Sequence, residues 1–281
     1  LQGVLKAGNR IILYLLLLSH YQVKKLHWNR GGMTNYITLP ETSKSYLAYE
    51  KLEGTEPGII FLPGLKSDME GTKAMALKAY CQEKGRSYLR FDYFGHGKSS
   101  GKFEETTIKD WHSSVDIMFK ELDLGPQILV GSSLGGWIGL HYAHQNPDKV
   151  HGFVGIASAV QFTDEIYAGL GDSERVDLSR KGYVELPSDY EDGDYYISAQ
   201  LLEDGKQFRL FDKEVKYQCP IRLLHGLEDI DVSPSVSRKI LHHVNANDIA
   251  MKLVEGADHR FSDAVCRKLI IEAIESISST G

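Results

Sequence analysis

Pro126-Gln127-Ile128-Leu129-Val130-Gly131-Ser132-Ser133-Leu134-Gly135-Gly136-Trp137-Ile138-Gly139-Leu140 is the stretch that decides how this chain folds. Its apolar run, Ile128-Leu129-Val130, predicts a short buried strand, and residues 137–143 have helical character. Between them lies Gly131-Ser132-Ser133-Leu134-Gly135. A G-x-S-x-G pattern between a strand and a helix is the sequence form of a nucleophile elbow. The bend is so sharp that its central serine must take a strained backbone conformation, and small residues two before and two after it keep strand and helix apart. Ser133 is therefore expected at a strand end, its hydroxyl exposed above a helix N-terminus.

So short a pattern also recurs by chance, and the chain carries its own decoy, Gly97-Lys98-Ser99-Ser100-Gly101. That copy lies beyond the end of its strand and runs into polar Lys102-Phe103-Glu104-Glu105, so it reads as a turn. Gly97-Lys98-Ser99 imitates a phosphate loop as well, but that motif needs glycine where Asp92 stands.

Outward from the elbow, strands and helices alternate. Residues 36–39 and 45–52 predict opening antiparallel strands, and 58–62 a buried strand ending in the tight loop Pro63-Gly64. A helix is expected over 69–84, stopped by Gly85, then a strand over 87–91 and a helix over 107–122. Beyond the elbow come strands at 150–157 and 221–225, a helix at 234–244, a strand at 251–254 and a closing helix at 262–277. This order predicts an α/β fold, a mostly parallel twisted sheet with helices on both faces. Residues 159–217 form a long excursion rich in tyrosine (Tyr167, Tyr183, Tyr190, Tyr195, Tyr196) and in acids. Its length marks it as a lid insertion, and its acidity argues against strongly anionic substrates.

The 281 residues suffice for one large core, so residues 33–281 are read as a single domain. A net charge of −6 offers no basic field for nucleic acid. Cys81, Cys219 and Cys266 are odd in number and lack C-x-x-C spacing, which fits free thiols in a reducing compartment better than a disulfide framework or a zinc site. Residues 1–32 hold Lys6, Arg10, Lys24, Lys25 and Arg30 but no acid, and are read as a removable leader or a non-native tail. The greasy run over 11–18 is shorter than a membrane span needs, so no stable span is expected.

A serine hydroxyl needs a general base, and the base an orienting acid. Asp229, in His225-Gly226-Leu227-Glu228-Asp229-Ile230-Asp231, sits just past a strand, and His259, in Gly256-Ala257-Asp258-His259-Arg260-Phe261, lies between the last strand and the closing helix. Ser133, Asp229 and His259 thus stand in the order serine, acid, histidine. Asp231 is the rival for the acid, whereas Glu228 and Asp258 fit solvent-facing or loop-bracing roles. His141 and His144 lack a nearby acidic third ligand and read as packing or surface residues, and His242-His243 as a solvated helix end. No metal and no cofactor is expected. An oxyanion needs two backbone N–H donors, and these are expected from Leu134 and Leu65. Pro63-Gly64 takes the place of the usual His-Gly, so the Leu65 loop is expected to find different side-chain support.

Longer blocks carry a resemblance. Phe61-Leu62-Pro63-Gly64-Leu65-Lys66-Ser67-Asp68-Met69, Arg90-Phe91-Asp92-Tyr93, residues 125–137 and Cys219-Pro220-Ile221-Arg222-Leu223-Leu224-His225-Gly226 look like the α/β-hydrolase superfamily, in particular its palmitoyl-protein thioesterases and acyl-glucuronide esterases. Val184-Glu185-Leu186-Pro187-Ser188-Asp189-Tyr190 resembles their α-proteobacterial relatives more. The likeness implies the α/β-hydrolase fold with a lid, catalysis by Ser133, Asp229 and His259, and hydrolysis of a small ester or thioester or an acylated protein. It implies a cytoplasmic enzyme in a bacterium or a mitochondrial-matrix enzyme in a eukaryote, and leaves the oligomeric state open. Lipase, lactonase or carbon–carbon hydrolase chemistry is the alternative, followed by a non-catalytic ligand-binding fold. One departure, Val232-Ser233-Pro234 for the usual Val-Pro, bears on a helix start.

Overall fold

Apolar runs with no polar alternation need cover on both faces of a sheet, and the strands around the elbow receive it. The computed structural model describes residues 34–39, 45–187 and 193–278, so the expectation for residues 1–32 lies outside the described residues. The first strands are β1 (Asn35–Thr38), β2 (Tyr46–Leu52) and β3 (Thr55–Leu62), followed by helix α1 (Thr72–Lys84) and β4 (Arg86–Phe91). Helix α2 (Ile108–Glu121), β5 (Gln127–Ser132), α3 (Leu134–Gln145) and β6 (Val150–Ile156) complete the first half. The excursion holds α4 (Phe162–Gly169), α5 (Asp172–Lys181), β7 (Tyr183–Leu186), β8 (Tyr195–Ser198), α6 (Ala199–Gly205) and β9 (Val215–Tyr217). The chain closes with β10 (Ile221–Gly226), α7 (Pro234–His243), β11 (Val244–Ala246), β12 (Ile249–Val254) and α8 (Ala264–Ser278).

Eight strands form the main sheet in the order β1-β2-β4-β3-β5-β6-β10-β12. The pairs β1–β2 and β2–β4 are antiparallel, and every later pair is parallel. Alternate side chains of each strand feed two separate cores. Ile60, Leu62, Leu129, Phe153 and Leu223 pack with α2, α3 and α7, through residues such as Trp111, Phe119, Ile138 and Ile240. Ile59, Phe61, Ile128, Val130, Val154 and Leu224 pack with α1 and α8, through Leu77, Cys81, Ile270 and Ile274. The three cysteines are free and buried.

Element boundaries follow local chemistry. Helix α1 begins three residues later than the periodicity predicts, because the N–H of Met69 is taken by Asp92 Oδ1 at 2.7 Å and the chain turns before Gly71. It ends at Gly85, whose φ of 64° admits glycine at no steric cost. Strand β3 starts at Thr55 and so includes Pro57, earlier than expected. Ser233 caps α7 with its side chain, accepting the Ser235 N–H at 3.3 Å, so the unusual residue before Pro234 serves as a helix start. The decoy is a turn, as expected: Ser99 Oγ donates to the Asp92 carbonyl at 2.7 Å and accepts the Ala48 N–H at 2.9 Å. Inside the excursion β7 pairs antiparallel with β8, and β9 pairs parallel with β11.

Candidate active site

The elbow is built by space. A Cβ at Gly131 would lie 2.3 Å from the Gly135 carbonyl oxygen, and one at Gly135 would lie 2.1 Å from the Leu62 oxygen. Only hydrogen fits at either place, so β5 turns into α3 at the closest approach a chain allows. Ser133 absorbs the turn with φ 54° and ψ −116°, a conformation side-chain-bearing residues rarely hold. Its backbone is clamped: the N–H donates to Ile156 O at 2.9 Å, and the carbonyl accepts from Gly136 and Ala159 at 2.9 and 3.0 Å.

Two later loops converge on this hydroxyl. His259 Nε2 lies 3.1 Å from Ser133 Oγ, and His259 Nδ1 lies 2.8 Å from Asp229 Oδ2. Because a carboxylate only accepts, Nδ1 carries the proton and Nε2 is free to take one from the serine. The two loops are tied to each other by Leu227 N–H to Val254 O at 2.8 Å and Glu228 N–H to Ala257 O at 3.0 Å. A Cβ at Gly226 would sit 2.1 Å from the Ala257 oxygen, so glycine at the end of β10 permits this approach.

Asp229 is buried, and its oxygens are fully engaged. Oδ2 also faces His225 Nε2 at 3.0 Å, and Oδ1 accepts the N–H groups of Asp231 and Val232 at 3.0 and 2.8 Å. Burial works to raise its pKa, but the bonds from His225, His259 and Val232 outweigh it and hold the carboxyl well below the usual range. Asp231 stands exposed and lends its backbone N–H to Asp229. Asp229, Asp231 and His259 also bring one potential ligand atom each within 4.8 Å of one another. That set reuses the carboxylate already saturated by hydrogen bonds. Asp258 braces its loop by accepting the Phe261 N–H at 3.0 Å, and Glu228 is exposed.

Two histidines that the sequence reading did not single out support these groups. His225 is fully buried, with Nδ1 2.7 Å from Ser237 Oγ and Nε2 2.8 Å from the Val232 carbonyl. Since Nε2 faces only acceptors, it is the protonated nitrogen that donates toward Asp229. The available signal was a histidine four residues before the acid, at a strand end. His96 answers the missing His-Gly of the Leu65 loop. Its Nε2 accepts the Lys66 N–H at 3.2 Å, and its Nδ1 lies 3.2 Å from the Phe94 carbonyl. Lys66 holds φ 55°, and Ser67 donates to Gly64 O at 3.2 Å, so the N–H groups after Leu65 are engaged within the loop, and Leu65 lines the cleft. The Leu134 N–H lies in the first turn of α3, where no intrahelical acceptor exists.

Burial is the chief reason that the His96 pKa falls to about 4. An unfolded chain takes that proton near pH 6.5. The neutral ring's stabilising contribution is therefore complete above pH 6.5 and is lost as pH falls toward 4. His96→Gln keeps an acceptor and cannot protonate. Urea unfolding at pH 7 and pH 4.5 should show the wild type losing about 2 kcal/mol more than this variant; equal losses would show that His96 is not a protonation-sensitive brace.

His141 is buried and rests edge-on against His112, with ring centroids 5.0 Å apart, and His144 Nδ1 lies 3.2 Å from Lys216 O. The expected solvated helix end is only half so: His242 is exposed, but His243 Nε2 lies 3.0 and 2.8 Å from the Leu210 and Lys213 carbonyls, because the excursion's tail folds over it.

Ser133 and His259 open into a cleft of about 290 Å³ lined also by Leu65, Lys66, Lys73 and Arg260. Among the described residues, three cations and one carboxylate, Asp68, line it. Two of the described excursion acids pair locally: Asp164 takes a bidentate contact from Arg209 at 2.9 and 2.8 Å, and Asp177 meets Lys181 at 3.0 Å.

Residues 57–233 match the family model for the alpha/beta hydrolase fold. The chain is 38% identical over 232 residues to the mitochondrial palmitoyl-protein thioesterase ABHD10 of Bos taurus, covering 82% of this chain and 76% of that one, and matches the Homo sapiens protein to the same extent. Among solved structures, mouse alpha/beta hydrolase domain-containing protein 10 superposes with a TM-score of 0.82 at 34% identity, over 88% of this chain and 99% of that one. A putative hydrolase of Agrobacterium vitis S4 superposes with a TM-score of 0.83 at 34% identity and the same coverage. Among the described residues, no helix is long and apolar enough to cross a membrane.

Proposed function

The chain belongs to the α/β-hydrolase fold family, and from that premise we propose that it hydrolyses acyl esters or thioesters through an acyl-enzyme on Ser133. The observation that carries this reading is the unbroken contact chain from Ser133 Oγ to His259 to Asp229, at 3.1 and 2.8 Å, on a serine held in a strained turn. The hydroxyl passes its proton to His259 Nε2 as Oγ attacks the substrate carbonyl, and Asp229 stabilises the imidazolium through Nδ1. The Leu65 and Leu134 N–H groups receive the oxyanion, and losing one such donor typically costs about 3 kcal/mol of transition-state stabilisation. The imidazolium then protonates the leaving alkoxide or thiolate. Water, deprotonated by the same histidine, attacks the acyl-serine and releases the acid.

The similarity to mammalian palmitoyl-protein thioesterases supports thioester hydrolysis, and the same acyl transfer serves an ester because both leaving groups are displaced from an acyl carbon. Residues 159–217 act in this reading as a lid over the cleft, to which Gly193 and Tyr195 contribute. The test combines a fluorophosphonate probe with a panel of palmitoyl thioester, acyl glucuronide and short p-nitrophenyl esters. Labelling of the wild type but not of Ser133→Ala, with turnover of at least one panel member, is expected. Equal labelling of both proteins, or a panel left intact, overturns the proposal.

A further inference from the structure

We infer that His225, with Ser237 behind it, is a positioning residue of the triad: it fixes the Asp229 carboxylate through a second imidazole and thereby sets the pH at which His259 becomes a free base. This inference rests on the hydrolase reading and adds a group that acts through Asp229 without touching substrate. His225 is wholly buried near the end of β10. An apolar residue would fill that place at less cost, since a buried polar ring is tolerated only when its nitrogens are bonded. Both are bonded here. Nδ1 lies 2.7 Å from Ser237 Oγ, and the Nε2 proton is shared between the Val232 carbonyl at 2.8 Å and Asp229 Oδ2 at 3.0 Å. Asp229 Oδ2 is the same oxygen that meets His259 Nδ1 at 2.8 Å. The contacts therefore run from Ser133 through His259, Asp229 and His225 to Ser237, with an imidazole and a hydroxyl on each side of one carboxylate. Acyl transfer needs only the first three members, so the last two call for a different reason.

That reason lies in how one oxygen divides its charge. Each N–H donor bonded to a carboxylate stabilises the anion and weakens its pull on a neighbouring cation. Burial works to raise the proton affinity of Asp229, and the bond from His225 opposes it more than those from His259 and Val232 do. Without the His225 N–H, Oδ2 would hold His259 alone. The imidazolium at 259 would then persist to higher pH, where it cannot accept the Ser133 proton. The carboxylate would also lose one of the contacts that fix its orientation. The Ser237 hydroxyl donates to Nδ1, which keeps the ring proton on Nε2 and turned to Asp229. Around this chain, the segment 153–156 of β6 that lies beside β10 is apolar. Helix α7 carries Arg238, Lys239 and His242 at exposed positions and His243 against the Leu210 and Lys213 carbonyls, and β12 carries Lys252 exposed. Glu228, Asp231 and Asp258 stand on the triad's own loops, and Lys66, Lys73 and Arg260 line the cleft beside His259. All of these stay in the variants below, so a change in pH dependence reports on His225.

The experiment measures kcat and KM from about pH 5 to 9 on the best ester of the panel, for the wild type, His225→Leu, His225→Gln and Ser237→Ala. His225→Leu should move the acid limb of kcat/KM to higher pH by about half a unit or more. It should also lower the plateau kcat about tenfold, as loss of orientation does, and change KM about twofold or less. His225→Gln sets an amide N–H where the Nε2 proton stood and should keep the limb within about 0.2 unit of the wild type. Ser237→Ala should move it in the direction of His225→Leu by a smaller amount. A limb unmoved by His225→Leu, even with kcat lowered, makes the histidine a packing residue and overturns the inference. A limb that moves as far in His225→Gln as in His225→Leu overturns it too. Should His225→Leu not fold, Ser237→Ala decides, and a limb at the wild-type position there counts against the inference. If no ester is turned over, the hydrolase reading fails separately, and NMR titration of isotope-labelled histidines tests the coupling. The His259 midpoint should rise in His225→Leu and not in His225→Gln; equal midpoints in all three proteins overturn the role of His225.

Discussion

Ser133→Ala should lower kcat by a factor on the order of 10⁴ to 10⁶ while leaving the fold intact. Loss of the nucleophile in a complete triad has that effect because base and acid then have nothing to activate. Steady-state kinetics on the best ester of the panel measures it, and a fall of less than tenfold would remove Ser133 from the chemistry. The same position offers an independent structural check. At φ 54° and ψ −116° any Cβ is strained, so alanine inherits the strain that glycine relieves. Ser133→Gly should therefore be inactive yet more stable than Ser133→Ala by about 1 kcal/mol, roughly 2–4 °C in Tm. Identical melting temperatures would mean that the elbow stores no strain, and that its geometry is not what presents the hydroxyl.

Asp229→Asn should cost on the order of 10⁴ in kcat, because an amide N–H set against His259 Nδ1 forces the wrong tautomer and leaves Nε2 protonated and unable to act as base. Asp231→Asn should change kcat about twofold or less, since its exposed side chain can be altered while its backbone N–H still reaches Asp229. Reversal of these two outcomes would give the acid's role to Asp231. The fourfold hydrogen bonding of Asp229 also means that its carboxylate is held in one orientation before substrate arrives.

Much of this site was legible without coordinates. Ser133 could be read because the elbow is a local solution to a steric problem: Gly131 and Gly135 are needed within four residues of each other, and sequence records local constraints directly. The order of Ser133, Asp229 and His259 was readable for a related reason, as each follows a strand that its own apolar run reveals. The chain's alternation of strand and helix likewise implied a sheet covered on both faces, which the two cores fill.

Other features depended on contacts between segments far apart in the chain. The choice of Asp229 over Asp231 turns on which carboxylate is buried beneath His259, a matter of a loop's path. The brace from His96 to the Lys66 N–H spans thirty positions, and nothing in either segment alone announces it. The excursion's net composition does not say which side chains the cleft receives: Asp164 faces Arg209, while Lys73 and Arg260 line the space around Ser133. Local sterics and periodicity thus determined the elbow, the sheet and the order of Ser133, Asp229 and His259 from sequence alone. Tertiary packing decided which acid meets His259, what braces the Leu65 loop and which charged side chains line the cleft, since electrostatics and burial act through space between residues that sequence keeps apart.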